Sequence, residues 1–121
     1  LKEVKVLSSF DHPNIVKYRE SFVDHGVLHI VMEFADGGDL HTLIKRQQAR
    51  LLPETQILDY FAQLCLAMQH VHARKILHRD LKPQNLFLSG QRKILKLGDF
   101  GIARTLTHSM ELAKTACGAR P

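Results

Sequence analysis

Cysteine is scarce in this chain. Cys65 and Cys117 are the only two in 121 residues, far apart and without the paired spacing that holds a metal ion. That excludes a disulfide framework and a cysteine-based zinc module; the thiols read as reduced, with Cys65 a small core residue on a helix. No apolar run approaches the roughly 20 residues a helix needs to cross a bilayer. Residues 1–20 also lack the basic-then-apolar layout of a secretory signal. Internal repeats and low-complexity tracts are missing. A formal charge of +5 would attract phosphate groups, yet no dense Lys/Arg block forms and few aromatics accompany the basic residues, so nucleic acid is not an indicated partner. Eight histidines are scattered, and His70 and His72, two apart on one helix, point to different faces. What is present is an ordinary globular composition, 45% hydrophobic and 24% charged, sufficient for one modest core.

Residues 1–10 read as the end of an amphipathic helix, with Val4 and Leu7 on one face, and Asp11-His12-Pro13-Asn14 as a turn. Ile15–Phe22 and Val27–Phe34 have the character of two antiparallel strands hinged at Asp24-His25-Gly26. Ala35-Asp36-Gly37-Gly38 interrupts the pattern as a linker. Asp39 is a good N-cap for a short helix carrying Leu40, Leu43 and Ile44. The longest helix is expected over about Pro53–Ala73, with Pro53 in its first turn and Ile57, Phe61, Leu64, Met68 and Val71 as a buried stripe. Leu86–Leu88 and Ile94–Leu97 flank a short turn and predict a hairpin; residues 102–121 show no periodicity and read as a hydroxyl-bearing loop.

Two motifs bracket that hairpin: His78-Arg79-Asp80-Leu81-Lys82-Pro83-Gln84-Asn85 before it and Asp99-Phe100-Gly101 after it. Together they supply a carboxylate base, a cation two residues on, and two oxygen donors suited to magnesium. Phosphoryl transfer requires this kind of set, because positioning and charge stabilisation contribute most of its catalysis. Singly, each residue has an ordinary structural explanation: Asp80 in an Asx-turn, Lys82 as a surface cation, Asn85 in a turn, Asp99 as a cap. The order and spacing of both motifs favour the chemical reading.

With these residues the chain resembles the middle of a eukaryotic protein kinase domain, and Asp-Leu-Lys-Pro-x-Asn at 80–85 resembles its serine/threonine type. Ile30-Val31-Met32-Glu33-Phe34 with Gly37-Gly38-Asp39-Leu40, Ile76–Asp80, Lys96–Arg104 and Glu111–Thr115 resemble the NIMA-related kinases. The resemblance implies an α+β fold, a partial protein-kinase-like bilobal one, with residues 1–34 from the small lobe, 35–38 the linker and 39–121 the start of the large lobe. It implies a protein substrate with a Ser/Thr acceptor, ATP and Mg2+ as cofactors, and a cytoplasmic, cytoskeleton-associated setting. Asp80 would be the base and Lys82 the γ-phosphate contact, with Asn85 and Asp99 as metal ligands. Glu3 would pair with an ATP-positioning lysine. The backbones of Glu33 and Ala35 would bond adenine, Met32 would be the gatekeeper, Phe87 the floor of the site, and Asp39 would lie near the ribose or serve as a cap. Leu7, Tyr18, His78 and Phe100 would form a hydrophobic column. Arg79 would receive a phosphate on Thr115, with Thr105, Thr107 and Ser109 as weaker acceptors.

The chain departs from the family pattern at both ends: no glycine-rich loop or partner lysine precedes Glu3, and Gly118-Ala119-Arg120-Pro121 stands where Gly-Thr-Pro is the rule. These departures lead to the expectation that the isolated 121 residues are partly molten and inactive alone. The alternative from another functional class is a catalytically inactive kinase-like binding module.

Overall fold

The computed structural model describes residues 8–74 and 81–98. Glu3, Leu7, His78, Arg79, Asp80, Asp99, Phe100, Cys117, the candidate acceptors Thr105, Thr107, Ser109 and Thr115, and the expected helix over 1–10 except its last residues, lie outside them.

Strands β1 (Tyr18–Asp24) and β2 (Val27–Met32) form an antiparallel hairpin with Asp24 opposite Val27 and Tyr18 opposite Met32. His25 and Gly26 both have positive φ, 50° and 75°, as a tight two-residue turn matching strand twist demands. A register irregularity between Tyr18 and Glu20 interrupts the ladder. The first strand starts three residues later than its sequence pattern indicates. Ile15 instead bridges Leu97 in parallel, the Val16 N–H donates to the Leu97 carbonyl at 3.0 Å, and Leu97 N–H donates to the Asn14 carbonyl at 2.7 Å. Strand character at Ile15 was legible; its partner, Leu97, was not.

Helix α1 (Leu40–Arg46) is capped by Asp39, whose Oδ1 accepts from the Thr42 N–H at 2.7 Å. Its last turn carries Lys45 and Arg46, favourable at the negative end of the helix dipole. Helix α2 (Glu54–Ala73) follows, with Pro53 at the N-cap and not within the first turn. A single 3-10 turn (Pro83–Asn85) leads into β3 (Leu86–Ser89), which pairs antiparallel with β4 (Ile94–Leu97). Among the described residues the architecture is thus α+β, two small two-stranded sheets with helices packed on the second.

The core joins Leu86, Leu88, Leu95 and Leu97 of the second hairpin to Leu43 of α1, to Tyr60, Ala67 and Val71 of α2, and to Phe10 and Ile15 from the segment before β1. This corrects the expected stripe on α2. Val71 is buried and Leu64 and Met68 pack against the core, but Ile57 is 47% and Phe61 61% exposed. The buried face is rotated toward Tyr60, whose hydroxyl donates to the Arg92 carbonyl at 2.6 Å and accepts from Gln56 Nε2 at 2.9 Å. An amphipathic ring can bury its body once its hydroxyl is satisfied, which polarity patterning alone undervalues. Ile57 and Phe61 line an apolar groove of about 350 Å³ with Leu40, Ile44, Leu51 and Leu52. Cys65, expected in the core, is exposed, because it falls on the opposite side of α2 from Ala67 and Val71.

Asn14 ties the segment before β1 to both α2 and β4. It is buried, and its Nδ2 donates to Gln63 Oε1 and to the Leu95 carbonyl, each at 2.9 Å. Gln63 Oε1 also accepts from Leu95 N–H at 2.7 Å, and its Nε2 donates to the Lys93 carbonyl at 2.9 Å. Asn14→Ala leaves the Leu95 carbonyl without its amide donor and is expected to lower stability by about 2 kcal/mol in denaturant unfolding. Beside this network His70 packs on Phe10 and His12, and its pKa is lowered by burial, by Arg74 and by His12.

Candidate active site

Two backbone features bring the linker against the second hairpin. Gly37 N–H donates to the Leu88 carbonyl at 2.7 Å, and Leu88 N–H donates to the Gly38 carbonyl at 2.8 Å. The approach is close enough that a Cβ on Gly37 would lie 2.7 Å from the Leu88 oxygen, so a side chain has no room there. Gly38 has φ of 75°, a conformation glycine adopts without strain. Neither glycine's contact was legible beyond its role in breaking the strand pattern.

Above this junction lies a cleft of about 430 Å³ between the two sheets. Its walls are Val16, Ile30, Met32 and Phe34; Glu33, Ala35, Gly38 and Asp39 border it along the linker, and Phe87 and Gly98 close the side opposite β2. Four residues predicted from sequence to contact nucleotide, Glu33, Ala35, Asp39 and Phe87, therefore share one cavity. The Glu33 N–H is engaged by the Lys17 carbonyl at 2.9 Å. Among the described residues its own carbonyl and the Ala35 N–H have no backbone partner, the arrangement a linker needs to offer an acceptor and a donor to a planar ligand. Both Asp39 carboxylate oxygens are turned to Thr42, Oδ1 to its N–H and Oδ2 to its hydroxyl at 3.0 Å, so the capping role is the one its geometry displays.

The Glu33 side chain does something sequence reasoning missed. Its Oε1 accepts from Lys17 N–H at 2.8 Å and from Lys96 Nζ at 3.1 Å, the two side chains being only 20% and 14% exposed. It fastens the linker to β4, two residues before the Gly98-Asp99 step. Opposite charges at 33 and 96 were the available signal, but a separation of 63 residues carries no local spacing to read.

Lys82 and Asn85 stand at the ends of the 3-10 turn: Lys82 is extended and exposed, while Asn85 is only 1% exposed. Asn85 N–H donates to the Lys82 carbonyl at 2.9 Å. The Asn85 carbonyl in turn accepts from Gly98 N–H at 2.7 Å, which brings the end of the first motif next to the residue preceding Asp99. Asp80, Asp99, Arg79, Glu3 and Thr115 lie outside the described residues, so their positions relative to this turn are not part of the geometry. Tyr18, of the expected hydrophobic column, is half-buried with its hydroxyl 3.1 Å from Ser21 Oγ. Among the described residues no group of three His, Cys, Asp or Glu side chains clusters as metal donors, and no helix is long and apolar enough to cross a membrane.

Comparison with known proteins shows the family of the chain. The family described as "Protein kinase domain" matches residues 1–121. Serine/threonine-protein kinase Nek1 of Mus musculus is 55% identical over 117 residues, covering 97% of this chain and 10% of that protein. Serine/threonine-protein kinase Nek5 of Homo sapiens is 56% identical over 117 residues, 97% of this chain and 16% of its own length. Nek11 of Homo sapiens is 44% identical over 118 residues, 96% of this chain and 18% of its own. The chain thus spans less than a quarter of the length of each of these relatives. With the domain family matching the whole of this chain and with these identities, the chain belongs to the protein kinase domain family, on its NIMA-related serine/threonine branch.

Proposed function

We propose that this chain is the nucleotide-cleft and catalytic-loop portion of a serine/threonine protein kinase that transfers the γ-phosphate of ATP to a protein hydroxyl in the cytoplasm. The observation that carries the reading is the single cleft shared by the Glu33 carbonyl, the Ala35 N–H and the Phe87 ring. Its apolar walls suit a purine, and the Ala35 N–H and Glu33 carbonyl on its linker edge, a donor and an acceptor without backbone partners among the described residues, suit the edge of adenine.

Asp80 accepts the proton of the substrate hydroxyl, and Lys82 offsets charge growing on the transferred group. The Asn85 amide oxygen and the Asp99 carboxylate, both hard oxygen donors, would hold magnesium, which supplies charge neutralisation on the nucleotide phosphates when bound. Glu33 holds the linker in place through its ion pair with Lys96. Glu3 would orient an ATP-contacting lysine, and Arg79 would pair with a phosphate on Thr115 to order the loop around it.

The test is binding of a fluorescent ATP analogue to the intact protein carrying these residues. Ala35→Pro removes the linker N–H and is expected to weaken binding by about tenfold, while Ala35→Ser, which keeps it, stays near wild type. Equal affinity for all three proteins contradicts the reading.

A further inference from the structure

Gly98 is held from two sides. Its N–H donates to the Asn85 carbonyl at 2.7 Å, and the residue is buried against the Phe87 ring. A Cβ added at 98 would overlap Cε2 of that ring, come within 2.9 Å of Cδ2, and lie 3.2 Å from the Asn85 oxygen. The strain would fall on Phe87. Gly98 cannot retreat without breaking its bond to Asn85, whereas an aromatic ring can turn or shift about its side-chain torsions. Both residues line the nucleotide cleft, so a ring displaced from Gly98 enters the space the cleft leaves for its ligand.

We propose that Phe87 and Gly98 are a size-matched pair that sets the depth of the cleft, with Gly98 acting as a positioning residue through the Phe87 ring. The inference rests on the nucleotide reading above and adds the determinant of its shape: a bulky floor at 87 is compatible only with an absent side chain at 98. A smaller aliphatic floor releases that requirement, because the ring atoms that a Cβ would strike, Cδ2 and Cε2, include one with no counterpart in leucine.

The test is a double-mutant cycle on the intact protein, read by ATP displacing a fluorescent ATP analogue, by KM for ATP against kcat, and by melting temperature. Gly98→Ala is expected to weaken ATP binding about tenfold, Phe87→Leu about threefold, and the double variant to bind within about threefold of Phe87→Leu alone. KM for ATP should rise more than kcat falls. The melting temperature lowered by Gly98→Ala should recover in the double variant. A Gly98→Ala penalty that is unchanged in the Phe87→Leu background overturns the pairing, as does a Gly98→Ala protein that binds and melts like wild type. Should Gly98→Ala fail to fold, a folded, nucleotide-binding double variant supports the pairing and an unfolded one overturns it. A wild-type protein that binds no nucleotide refutes the proposed function instead; the melting cycle then still decides whether the two residues are coupled.

Discussion

Asp80→Asn in the intact protein is expected to reduce phosphate transfer to a serine- or threonine-bearing protein by about 10²–10⁴-fold while leaving ATP affinity within a few-fold of wild type. The substitution preserves shape and hydrogen-bonding capacity but removes the carboxylate that accepts the hydroxyl proton. Its effect should fall on kcat, since the residues that line the proposed nucleotide cleft, Glu33, Ala35 and Phe87, are untouched. Transfer assays at saturating ATP read the first quantity and analogue displacement the second. An unchanged rate would remove Asp80 from the chemistry. A wild-type protein that binds nucleotide and transfers nothing would favour the binding-module alternative.

Gly37→Ala is expected to destabilise the protein by about 2–3 kcal/mol and to weaken nucleotide binding with it. The added Cβ would sit 2.7 Å from the Leu88 carbonyl oxygen and 3.0 Å from its carbon, both backbone atoms in the centre of the second sheet. Neither can rotate away as a flexible side chain would. Relief requires the linker to lift from β3, lengthening the paired bonds from Gly37 N–H to Leu88 and from Leu88 N–H to Gly38. The adjacent Gly38 provides the internal comparison. It has open space around a built Cβ and only an unfavourable φ, so Gly38→Ala should cost about 1 kcal/mol. Denaturant unfolding of the two variants separates the mechanisms: equal costs would show that steric contact at 37 is not what fixes the linker.

Local features were readable because adjacent residues set them. Lys82 and Asn85 lie on one turn, and the Asp39 cap, the His25-Gly26 turn and the second hairpin are set by local backbone preference. Contacts between distant segments had no such signal. Ile15 and Val16 have strand character, but nothing near them indicates pairing with Leu97 and not with β2. The face of α2 was misjudged toward Phe61 because Tyr60 counts as polar until the Arg92 carbonyl meets its hydroxyl. Cys65 was assigned to the core on residue type, and helix geometry turned it outward. At the cleft, sequence grouped Glu33, Ala35, Asp39 and Phe87, which line one cavity, but not what holds them: the Glu33–Lys96 ion pair, the close approach at Gly37, and the missing Cβ at Gly98. A glycine's necessity depends on what lies opposite it, which is a property of the fold.

The most direct measurement is a crystal structure of the intact protein with a non-hydrolysable ATP analogue and magnesium. The account predicts adenine stacked on Phe87, its edge bonded to the Glu33 carbonyl and the Ala35 N–H, with a metal ion at the Asn85 side chain. Nucleotide bound elsewhere, or a cleft that stays empty at saturating analogue, would contradict it.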